Sequence, residues 1–146
     1  MNNDTTCYDV VMSWSVIKSI RNWRDFLDGM IERANNYVLF DARFFDIKVN
    51  EPLFDVSLYK AEYGGEETPL MYSAYQPVLT HIANHSRVEE VQICAYRSKP
   101  DPHSTFGRDE MPDCYIFSFC IKIGSQDIGN QARIYKQLPV ELRQNG

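Results

Sequence analysis

The sequence predicts a single α+β domain, in which a long N-terminal helix and a second, shorter, Pro-kinked helix pack on a mostly antiparallel, bent sheet of 4–5 strands. Three features carry this expectation: helical spacing of apolar residues after Ser13, strict alternation in "CYIFSFCIKI", and an element order of helix, two strands, helix, two or three strands. The 146 residues suit one domain with its own core, and no repeat or linker divides them. Loose ends are expected at about 1–8 and 140–146.

The first helix is read from "SWSVIKSIRNWRDFLDGMIERANN", where Val16, Ile20, Trp23, Leu27, Met30 and Ala34 follow steps of four and three that line up one face. Ile17, Phe26 and Ile31 widen that stripe beyond a coiled-coil seam. Ser13 or Ser15 can cap its start, and the asparagines of "RANN" suit its end. The next segment, Tyr37 to Val49, alternates on Val38, Phe40, Ala42 and Phe44 and then changes phase to Phe45, Ile47 and Val49, which predicts a β-bulge. After the turn residues "NEP", the stretch "LFDVSLYKAEY" resumes as the partner strand of a hairpin.

Gly64 and Gly65 break the chain, and Thr68 followed by Pro69 reads as a helix start. In "LMYSAYQPVLTHIANHS", Met71, Tyr75, Val78, Leu79 and Ile82 have helical spacing, while Pro77 removes a hydrogen bond and implies a kink. "VEEVQICAY" and "CYIFSFCIKI" are strands. The second places Tyr115, Phe117, Phe119, Ile121 and Ile123 on one face, and Cys114, Ile116, Ser118, Cys120 and Lys122 on the other, a mixture suited to a half-covered surface or an interface. "QARIYKQL" reads as a last strand.

Composition narrows function. A formal charge of −5, with the basic residues dispersed, gives no electrostatic attraction to phosphate backbones, so nucleic acid is not an expected partner. No stretch approaches the ~20 apolar residues of a spanning helix and the start has no leader pattern, so a cytoplasmic location without membrane contact is expected. Cys7, Cys94, Cys114 and Cys120 form no Cys-x-x-Cys pair and read as reduced thiols.

Candidate chemistry is sparse. His81 and His85 lie four apart, at metal-ligand spacing if both are helical, but Ile82 stands where the zinc-protease pattern needs Glu, so no metal is assigned. His81, His85 and His103 remain the weak catalytic candidates. Phosphate-loop, dinucleotide-fold and hydrolase-elbow patterns are absent from the sequence, and no cofactor is expected. The long segment Lys99 to Asp113 is either a recognition loop or mobile flap, or a plain hairpin tip; its contact candidates are His103, Phe106, Arg108, Asp109 and Glu110.

Aromatics make up 13% of the chain, enough for a core and also for a contact surface. The expected function is therefore a non-catalytic binding or accessory protein acting through protein contacts, with itself as a homodimer or with another protein. The alternative is a small-ligand-binding or hydrolytic protein with a His-based site and an aromatic cavity lined by Trp23, Leu27, Met30, Phe117 and Phe119.

Overall fold

The computed structural model describes residues 6–56, 69–98, 113–125 and 132–143. Strand β1 (Tyr8–Ser13) leads through a 3-10 turn (Ile17–Ser19) to helix α1 (Trp23–Arg33), which runs directly into β2 (Ala34–Phe45). Then come β3 (Leu53–Val56), β4 (Pro69–Tyr72), α2 (Gln76–Ala83), β5 (Val88–Ser98), β6 (Cys114–Ile123), β7 (Arg133–Gln137) and the short helix α3 (Val140–Arg143). The main sheet has the order β1-β2-β6-β5-β7, and β3 and β4 form a separate two-stranded sheet.

The α+β class is as the sequence predicts, but the sheet is mixed. β6 is antiparallel to both β2 and β5, whereas the edge strands β1 and β7 run parallel to β2 and β5. The parallel β1–β2 pair follows from the α1 crossover, which carries the chain back to the end of the sheet from which β1 started.

The long N-terminal helix is replaced by a strand, a 3-10 turn and an eleven-residue helix. β-branched Val16, Ile17 and Ile20 disfavour helix ahead of Trp23, and Val16 is exposed although the periodic reading turned it inward. From Trp23 the stripe behaves as read: Trp23, Leu27, Met30 and Ile31 are buried. At the other end of α1, the Arg87 guanidinium donates to the carbonyls of Ile31 (3.0 Å), Glu32 (2.9 Å) and Ala34 (2.9 Å), satisfying acceptors that a helix terminus leaves open.

Pro77 does not kink α2. It sits in the first turn, where no N–H is needed, and the upstream residues Pro69–Tyr72 are strand. The expected hairpin is also differently partnered: both edges of β2 are taken by β1 and β6, and β3 pairs with β4. The β2–β6 register runs from Tyr37↔Lys122 to Phe45↔Cys114 without a shift, so the change of phase at Phe45 is not a bulge. Phe45 is buried because Tyr72 covers the reverse face there, with ring centroids 4.9 Å apart, and Cys114 completes this second cluster.

The core lies between one face of the main sheet and the helices. Phe40 and Phe119 are direct cross-strand partners and stack at 4.5 Å, while Phe44 meets Phe117 edge-on at 5.3 Å. Burial of each such ring contributes roughly 1.5–3 kcal/mol, and pairing adds up to about 1.5 more. Val140–Arg143, read as part of a loose tail, is a helical turn anchored by buried Leu142.

Candidate functional site: the uncovered sheet face

Alternation fixes what the other face of the sheet carries. Register places Met12, Leu39, Cys120, Gln92 and Tyr135 in one row across the five strands, and Asp41, Ser118, Cys94 and Gln137 in the next. Small side chains in the middle of these rows and aromatic ones near the edges leave a hollow of about 560 Å³, bordered by Trp14 on the β1 side and Tyr135 on the β7 side. Its size falls in the usual range of ligand and contact sites.

Trp14 is held there by local backbone. The next residue, Ser15, adopts a left-handed φ of 56°, costly for a side chain other than Gly, and its N–H donates to the Asp41 carboxylate of β2. Trp14 therefore leaves the strand at a fixed turn. It is 55% exposed, and Met12 is 60%, Val10 42% and Tyr135 52% exposed, whereas Trp23 on the covered side is 2% exposed.

The end of the face nearest Val10 is ionic. An extra residue in β5 at Glu89 shifts the register against β6. Glu89 then approaches Lys122 (3.3 Å) and Arg133 (3.5 Å), and Glu90 approaches Arg133 (3.3 Å). These partly exposed pairs fix orientation more than they stabilise. Cys94 is exposed on the face. Burial pushes the Cys120 thiol above its ordinary value, with Glu90 adding to the shift, and burial pushes Cys114 up to about 11.

The sequence-read candidates fall elsewhere. Trp23, Leu27, Met30, Phe117 and Phe119 are all buried in the main core, filling the layer between helix and sheet. His81 Nε2 lies 2.7 Å from Asp28 Oδ1, and its ring meets Trp23 edge-on at 5.2 Å. His85 lies beyond the end of α2, and its Nδ1 accepts the Arg87 N–H at 3.2 Å. The two histidines thus engage different partners. His103, Phe106, Arg108, Asp109 and Glu110 lie outside the described residues. Among the described residues, no group of three or more His, Cys, Asp or Glu side chains is placed to hold a metal ion, and no helix is long and apolar enough to cross a membrane.

Sequence reasoning recognised the mixed face of β6 but missed Trp14, Met12 and Tyr135. The signal was present in "YDVVMSW", whose Tyr8, Val10 and Met12 alternate with period two. The fold and site define an α+β protein with helices on one face of a mixed five-stranded sheet and, among the described residues, a largely bare second face. Comparison with protein-family models, with curated proteins and with solved structures finds no match to this chain.

Proposed function

We propose that this is a non-catalytic binding or accessory protein that acts through protein–protein contacts and assembles as an oligomer, with the uncovered sheet face as its contact surface. The observation that supports this reading is the contrast between the two faces: Val10, Met12, Trp14, Tyr37, Tyr96 and Tyr135 stand exposed on one side of a sheet whose central strands β2, β6 and β5 are packed on the other. Aromatic and Met side chains around a shallow, small-residue floor are the composition of contact surfaces. The formal charge of −5 favours protein over nucleic acid as the partner.

A second reading has one observation in its favour. His81 borders a smaller hollow, about 390 Å³, with Arg24, Asn50 and Thr80, and Asp28 orients its ring as a carboxylate orients a general base. Native mass spectrometry of the untagged protein separates the two. A clean multiple of the chain mass supports the contact protein; a monomer carrying added mass that His81→Ala abolishes supports the ligand or hydrolytic site.

A further inference from the structure

We propose that the outer edge of β1 pairs antiparallel with β1 of a second copy, joining two sheets into one of ten strands. The inference rests on the contact-protein reading and specifies its first partner, this chain itself.

Among the described residues β1 is the outermost strand on its side, and in a parallel pair only alternate backbone groups of β1 face β2; the rest point outward. Natural edges are usually defended by basic residues, proline or a bulge of their own. The strand "YDVVMS" has no basic residue and no proline, and the register shift at its start places the extra residue in β2, between Ala34 and Tyr37. At the opposite edge, β7 carries Arg133 and Lys136 within five residues. The asymmetry singles out β1.

Its side chains also complement themselves. With Val11 on the two-fold axis, Val10 faces Met12 of the partner subunit, an apolar pair on the uncovered face, and Asp9 faces Ser13 of the partner subunit, whose hydroxyl can donate to the carboxylate. Moving the axis to Asp9 would oppose like charges, which is unfavourable. Strand parity forbids odd slips, because they would put opposite faces together.

The test is sedimentation velocity and native mass spectrometry across a concentration series, on the wild type and on Met12→Lys, Val10→Lys and Ile134→Lys. The mutated side chains are all exposed, so the fold tolerates them. A wild-type dimer whose dissociation constant rises at least about ten-fold in Met12→Lys and Val10→Lys, a change of 1.4 kcal/mol, and is unchanged in Ile134→Lys supports the proposal. A monomeric wild type at high concentration overturns it. So does a dimer broken by Ile134→Lys and indifferent to Met12→Lys, although that result leaves the contact-protein reading standing. Hydrogen exchange of the wild type gives a check free of variants: protection of β1 amides rises with concentration if the edge pairs, and an unchanged β1 overturns the proposal.

Discussion

His81 of α2 and Asp28 of α1 meet at 2.7 Å, and this contact ties together the two helices that cover the sheet. Both groups are partly exposed, so the pair is worth less than a buried one, but the edge-on contact of His81 with Trp23 adds to it. His81→Ala is expected to lower unfolding stability by about 1–2 kcal/mol in a urea titration while leaving the oligomeric mass unchanged. Equal stability together with a changed mass or lost ligand would instead assign His81 to the functional site.

Arg87 should prove more costly to lose. Its guanidinium serves three carbonyls at the α1–β2 junction, and lysine lacks the planar fork to replace it. Arg87→Ala is expected to cost about 2–3 kcal/mol, with Arg87→Lys recovering less than half. Faster amide exchange confined to α1 and the start of β2 would locate the effect.

Gly29 offers the opposite sign. It lies inside α1, and a Cβ there would meet nothing within 4 Å. Gly29→Ala is expected to raise stability by roughly 0.5–1 kcal/mol, through a less flexible unfolded chain and better helix propensity. Thermal unfolding reads this directly.

The thiols should divide by position. Cys94 is expected to react with a maleimide at neutral pH, while Cys114, buried and pushed up to about 11, stays unmodified until the protein unfolds. Because folding raises this pKa from the ordinary 9.0, the folded state holds the proton more tightly, and stability falls as pH rises from about 9 through 11. Tyr115, raised first by burial and then by Asp113 and Glu141, contributes in the same direction. Cys114→Ala is expected to shallow the alkaline decline in urea midpoints; an unchanged slope would remove the thiol as a cause.

The two tryptophans provide a local probe. Acrylamide should quench Trp14 and spare Trp23. Asp41→Ala, which removes the acceptor of the Ser15 N–H, is expected to loosen the turn and increase quenching of Trp14 without a change at Trp23.

Much of this architecture was legible because alternation and helical spacing report which side of an element is buried. Strands β5 and β6 and the Trp23–Met30 face came directly from that signal. Pairing did not, since nothing local told β2 to prefer distant β6 over the adjacent β3. The phase change at Phe45 misled for a related reason: a second covering layer from Tyr72 produces the same pattern as a bulge. The candidate surface was half legible, because β6 displayed its mixed face openly while Trp14 was absorbed into an apparent helix start and Met12 lay just ahead of it, in a stretch not read as a strand.

The pairing of Tyr37 with Lys122 spans 85 positions along the chain. Since β6 lies between β2 and β5, the β1–β2 half of the sheet cannot join the β5–β7 half until that strand arrives, and the β2–β6 pairing must close a very long loop. Folding should accordingly be slow for a domain of this size. During synthesis, Phe40 and Phe44 of β2 wait for their ring partners Phe119 and Phe117 until β6 has emerged, so the order in which the strands are made leaves the centre of the core to be completed late.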